Sequence, residues 1–220
     1  MRLVLIRHGQ TPSNVSGLLD TRVPGPGLTG LGLEQAAALP RALADEDISA
    51  IYVSTMVRTH LTAAHLAAAR RLETIERPGV REITSGDLEM RSDHDSVMRY
   101  MSTVFDWTRG ELDRRIPGGE SGAEFLDRFD DVIAEAASGD HEAVAVVSHG
   151  AAIRTWMSLR GRNVPSDFIM HNPLHNTGVV VADGTPDAGW EILSFMGEAI
   201  GGDRVESAAA GPAGEPVAQD

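Results

Sequence analysis

The residues best suited to chemistry stand at the ends of two apolar runs. Met1-Arg2-Leu3-Val4-Leu5-Ile6 stops at Arg7-His8-Gly9-Gln10-Thr11, and Ala143-Val144-Ala145-Val146-Val147 stops at Ser148-His149-Gly150. An apolar run broken by glycine and small polar residues predicts a buried strand entering a loop. In open α/β sheets the carboxyl ends of strands hold the ligand. An imidazole beside a guanidinium suits an anion: His8 can attack phosphorus while Arg7 neutralises phosphoryl oxygens. Gly9 is expected to let backbone approach the ligand. If the two strands are parallel neighbours, His149 faces the same crevice and can donate to a phosphoryl oxygen. Ser148 does not suit a Ser-His-Asp hydrolase, because neighbouring side chains diverge and no Gly-x-Ser-x-Gly elbow is present. Taken alone, Arg-His-Gly is more often an ordinary strand end.

Further candidates lie between these runs. Arg58 follows the apolar stretch Ile48 to Val53 and falls early in a helix expected to run through Ala69. A cation there is disfavoured by the helix dipole, unless an anion lies between them. Asn14 can reach back to a phosphoryl group or act as a simple cap. Glu82 is the preferred general acid for a leaving alcohol, with Asp87 and Glu89 as backups that read more readily as solvated loop acids. Asp93-His94-Asp95 invites a metal reading, but a polar helix start is simpler. His60 and His65 are five residues apart (65 − 60) and share no helix face closely, so neither is read as a ligand; no metal site is expected.

Taken in order, these residues resemble the histidine phosphatase superfamily, whose best-known branch is the cofactor-dependent phosphoglycerate mutases. Arg7-His8-Gly9-x-Thr11 matches its first motif. Leu28, Thr29, Gly32, Gln35 and Ala36 match its second, and Ser54, Arg58, Thr59, Thr62 and Ala63 its third. Glu82, Gly86 and Asp87-Leu88-Glu89 follow the pattern around its general acid, except that Met90 stands where glycine is usual. Gly118-Gly119-Glu120-Ser121, Ser148-His149 and Asn176-Thr177 complete the match, which spans about Met1 to Phe195. The resemblance implies His8 as phosphorylated nucleophile, Glu82 as acid, and Arg7, Arg58 and His149 as the phosphoryl clamp. It counts Asn14, Gln10, Thr11 and Gly150 with the substrate-binding residues and places Glu120 in support of the histidine region. It requires no cofactor.

The chain of 220 residues is 42% hydrophobic, enough for one substantial core. Its formal net charge of -13, from 19 basic and 32 acidic residues, argues against nucleic acid or an anionic membrane as partner. The absence of cysteine excludes thiolate chemistry and disulfides. All 19 basic residues are arginine, so lysine Schiff bases and a P-loop lysine are excluded too. The first apolar run is too short for a signal peptide or membrane span, so a cytoplasmic location is expected, with a homodimer left open.

Apolar and turn patterning completes the expected architecture: an α/β three-layer sandwich, its sheet mostly parallel, with helices on both faces. Ser121 and Glu124 form a capping box ahead of a helix carrying Phe125, Phe129, Val132 and Ile133. One domain is expected over 1–200, with a helical cap inserted at about 91–115 and a disordered tail over 201–220. The cap's Met98, Met101, Phe105 and Trp107, beside Arg99 and Arg109, are expected to line the site's rim together with the Val23–Gly27 loop.

The function expected is metal-independent hydrolysis of a small phosphorylated metabolite through phosphohistidine. Mutase-type transfer and a catalytically silent binding protein on the same fold are the alternatives. The gap between Glu82 and His149, 67 residues (149 − 82), is short for a mutase of this kind.

Overall fold

The computed structural model describes residues 1–202, 205, 206, 211, 212 and 214. In chain order the elements are β1 Arg2–Arg7, α1 Pro12–Val15, α2 Gly30–Ala42, β2 Ile48–Val53, α3 Val57–Arg70, β3 Thr74–Glu76, α4 His94–Thr108, α5 Gly122–Ser138, β4 Ala143–Ser148, α6 Gly150–Arg160, α7 Phe168–His171, β5 Val179–Thr185 and β6 Gly189–Met196. The sheet order is β3-β2-β4-β1-β5-β6. The first four are parallel neighbours; β5 and β6 add antiparallel at one edge. The result is the expected three-layer α/β sandwich.

Burial on both faces explains the uninterrupted apolar runs of β1 and β4. Leu3, Leu5, Val144 and Val146 point to one side, into a core shared with α4, α5 and α6. Val4, Ile6, Ala145 and Val147 point to the other, against α2 and α3. Each fully buried valine or leucine contributes roughly 1.5–3 kcal/mol. The register pairs Arg7 with Ser148, so His8 and His149 leave the sheet side by side.

Glycines in the second motif serve packing. A Cβ on Gly32 would lie 2.2 Å from the carbonyl oxygen of Gln10, and one on Gly9 2.7 Å from that of Gly32. Gly9 therefore admits α2 to the loop after β1.

The expected cap is a single helix, α4. Asp93 is its N-cap, accepting from the Ser96 amide, and pairs with Arg91. Met101, Val104 and Trp107 are buried in the main core, with Trp107 stacked on Phe125. They do not form a rim: their spacing is that of a core-facing helix stripe. Arg109 lies over the Phe105 ring.

The tail expected over 201–220 falls mostly outside the described residues. Of those described, Val205 is buried, and its carbonyl accepts from Gln35 Nε2 at 2.7 Å. Among the described residues no helix is long and apolar enough to cross a membrane.

Candidate active site

His8, Arg7, Arg58 and Glu82 line one cavity with Thr11, Asn14, Asp20 and Tyr100, and its empty volume is about 390 Å³. All four of the first group are buried. The His8 and His149 rings lie 5.1 Å apart, tilted by 60°.

The hydrogen bonds fix both tautomers. His8 Nδ1 is 2.8 Å from the carbonyl oxygen of Gly9, which can only accept. Nδ1 therefore carries the proton, and Nε2 is the free nucleophilic nitrogen. Burial, then the charges of Arg58 and Arg7, hold the His8 pKa well below 6.5, so the ring stays neutral. Arg58 Nε donates to His149 Nδ1 at 3.3 Å, so that nitrogen is an acceptor. His149 Nε2 then carries the proton and donates to Ser54 Oγ at 2.8 Å. Burial, followed by Arg58 and His8, lowers the His149 pKa well below its ordinary value as well.

The two arginines are tethered through backbone carbonyls, which orient them, and Asp20 also stands beside Arg58. Arg7 Nη1 donates to the carbonyl of Leu174 at 2.5 Å. Arg58 Nη2 donates to the carbonyl of Asp20 at 2.9 Å, with Asp20 Oδ1 3.9 Å from Nη1. Burial lowers the Arg58 pKa, while Asp20 and Glu82 oppose the shift.

Glu82 sits at the N-terminus of α6. Oε1 accepts from the amides of Ile83 and Ala152, both at 2.9 Å, and Oε2 accepts from Ala151 at 3.2 Å. The helix end is a natural carboxylate seat. Oε2, with one longer contact, is the oxygen better placed to exchange a proton. Ser148 Oγ donates to the carbonyl of Val80, a structural bond.

The remaining predicted residues divide. Thr11 and Asn14 line the cavity and form the capping box of α1. Asn14 Oδ1 accepts from Thr11 and Asn176, which leaves Nδ2 as the group it can offer an anion. Gln10 is held by Thr29 and Gln35 at the junction with α2. Gly150 begins α6 and is buried. Neither Gln10 nor Gly150 is among the residues lining the cavity.

Glu89 is no solvated acid: it accepts from Ser85 Oγ, from the amide and hydroxyl of Thr21 and from the Arg22 amide. Burial pushes its pKa up, but these bonds outweigh burial and leave it lowered. Asp87 is exposed. Met90 takes φ 61, the left-handed region that favours glycine, and its amide donates to the Leu19 carbonyl.

Sequence reasoning missed Asp20, Ser54 in its hydrogen bond to His149, and Tyr100. Tyr100 reaches the cavity from α4 and donates to the Ile83 carbonyl at 2.9 Å. Its place in an apolar helix stripe was the available signal. Pro212 also lines the cavity. Beside it the Gly214 carbonyl accepts from the Leu174 amide, the residue that tethers Arg7. Beyond Thr21 lies a larger surface cavity of about 1200 Å³, including its open mouth, lined by Arg22, Asp87, Glu120 and Arg128 among others. No histidine lines it; His8 lines the smaller one. Among the described residues no group of three or more His, Cys, Asp or Glu is arranged to hold a metal ion.

The model of the histidine phosphatase superfamily (branch 1) matches residues 3–196. The chain belongs to this superfamily. It is 33% identical over 213 residues to a PE-PGRS family protein of Mycobacterium tuberculosis, covering 89% of this chain but 36% of that longer protein. It is 31% identical over 173 residues to the adenosylcobalamin/alpha-ribazole phosphatase of Escherichia coli K12, covering 78% and 84% of the two chains. The solved structure of a mycobacterial glucosyl-3-phosphoglycerate phosphatase shares the fold, with a TM-score of 0.74 at 23% identity over 89% of this chain and 98% of the other. Within the matched span, His8 and His149 follow the ends of β1 and β4.

Proposed function

We propose that this protein hydrolyses a small phosphomonoester in two steps through phosphohistidine. The observation that carries the reading is the neutral His8 with Nε2 free, lining one cavity with two buried guanidinium groups. His8 Nε2 forms the P–N bond as the bond from phosphorus to the leaving oxygen breaks, and Glu82 gives its proton to that oxygen. Water then attacks phosphorus and loses a proton to Glu82, and the P–N bond breaks to release phosphate. Arg7 and Arg58 neutralise the phosphoryl oxygens, which is the electrostatic work a metal ion does in other phosphatases.

An arriving phosphoryl dianion competes for Arg58 and favours a proton on His149 Nδ1. His149 then becomes a donor to the phosphoryl group. The substrate's organic body extends past Thr21 toward the larger cavity, where charged side chains of both signs favour a polar body. A cytoplasmic setting belongs to the same reading, because that is where small phosphorylated metabolites occur.

The test is phosphate release from a panel of phosphomonoesters, with and without EDTA, for wild type and His8→Ala. Turnover unaffected by EDTA and abolished in His8→Ala is expected. Wild-type rates in His8→Ala would refute the reading. Rapid isomerisation of 3-phosphoglycerate with a bisphosphoglycerate primer, and little phosphate release, would favour the mutase alternative.

A further inference from the structure

The segment from Arg81 to Ser85 carries Glu82 yet belongs to no helix or strand. Its backbone groups must find partners elsewhere. Arg128, in the second turn of α5, supplies those for the carbonyls on either side of the Glu82 side chain. Nη1 donates to the carbonyls of Gly79 at 2.5 Å and Arg81 at 3.0 Å, and Nη2 to that of Glu82 at 3.1 Å. The remaining N–H groups make a bidentate pair with Glu120, Nε to Oε2 at 2.7 Å and Nη2 to Oε1 at 2.8 Å. All five donors of the guanidinium are therefore used.

Glu120 extends the grip. Its Oε1 also accepts from the Thr84 amide at 2.8 Å, and its own amide donates to Thr84 Oγ1. The guanidinium lies over the Phe125 ring at 5.1 Å, and Phe125 is fully buried in the core. Gly79 lets α5 come this close: a Cβ there would lie 2.2 Å from the Arg128 carbonyl oxygen. Glu120 thus supports the Glu82 segment and not the histidines.

We propose that Arg128, with Glu120, is a positioning residue for proton transfer: it holds the peptide units on both sides of Glu82 and so aims the carboxyl at the leaving oxygen. This rests on the reading of Glu82 as general acid. A planar five-donor fork is needed for these five acceptors, so lysine cannot replace it fully. Small displacements of a catalytic group are costly in rate.

The test compares kcat/KM for an alkyl phosphate, whose leaving alcohol needs a proton, with that for 2,4-dinitrophenyl phosphate, whose leaving phenolate does not. Wild type, Glu82→Gln, Arg128→Ala and Arg128→Lys are measured, with inhibition by vanadate as a check on the phosphoryl clamp. Arg128→Ala is expected to lose about 10- to 100-fold on the alkyl ester, part of the range general acid catalysis supplies. Its loss on the dinitrophenyl ester should be about tenfold smaller, vanadate affinity, which reads the phosphoryl floor and not the cavity that Arg128 lines, should hold, and Arg128→Lys should show a weaker form of the same pattern. If Arg128→Ala does not fold, Arg128→Lys carries the test.

Selective loss in Glu82→Gln, with equal loss on both esters or no loss in the Arg128 variants, overturns the positioning role. Absence of selectivity in Glu82→Gln itself overturns the general acid reading, and the positioning role with it.

Discussion

Arg58→Met removes the buried cation that contacts His149 and Asp20 while keeping much of its apolar volume. Arg58 is 3% exposed, so its charge acts at low local dielectric. A charge-assisted hydrogen bond contributes roughly 1.5–3 kcal/mol. Losing two such bonds to phosphoryl oxygens costs about 3–6 kcal/mol, a fall on the order of 10²–10⁴ in kcat/KM. A second effect follows from the pKa of His8, which is held well below 6.5 by burial first and by Arg58 and Arg7 next. Removing Arg58 leaves burial and Arg7 in place, so the His8 pKa rises part of the way back. The assay is p-nitrophenyl phosphate hydrolysis across pH for both proteins. The acid limb of kcat/KM should move to higher pH in Arg58→Met, together with the fall in rate. A loss of less than tenfold, or an acid limb that stays in place, would refute the assignment of Arg58 to both roles.

Three further outcomes are expected. His8 and His149 resist protonation when folded but take up protons near pH 6.5 when unfolded. The unfolded chain then binds more protons, so stability should fall as pH drops below 6.5, and further as Glu89 protonates. Denaturant melts from pH 8 to pH 5 check this sign, and a gain in stability would contradict it. Met90→Gly should relieve a left-handed strain of about 1–2 kcal/mol, offset in part by the added freedom of the unfolded chain. Thermal melts should therefore show a small stabilisation, and a loss above about 1 kcal/mol would mean that the Met90 side chain matters more than its backbone. Pro212 lines the catalytic cavity, so Pro212→Gly should raise kcat/KM for bulky phosphomonoesters more than for small ones; an unchanged ratio would count against Pro212 as part of the wall.

The parts of the site that were legible in the sequence are contiguous and repeated. An apolar strand ending in His-Gly occurs twice, and a strand end projects its next residue into the crevice whatever the rest of the chain does. Arg58 and Glu82 were legible through the order of motifs. Asp20, Tyr100 and Arg128 were not, because each reaches the site through tertiary packing that no local spacing encodes. Tyr100 shares the helical stripe of Met101, Val104 and Trp107, yet it alone of these lines the catalytic cavity. The same stripe misled the reading of the cap, since a helix covering a site and a helix filling a core show one periodicity. Gly9 shows a related limit: a glycine signals close approach, and that the approaching element includes Gly32 of α2 was not legible.

The central claim is that phosphorus becomes bonded to His8 Nε2 during turnover. Rapid quench of wild type and Glu82→Gln with a good phosphomonoester substrate, followed by peptide mass spectrometry under alkaline conditions, tests it directly. A phosphoryl group should appear on the peptide carrying His8, be lost in acid, and be absent from His8→Ala. Phosphate release with no label on His8, or with the label on another residue, would contradict the account.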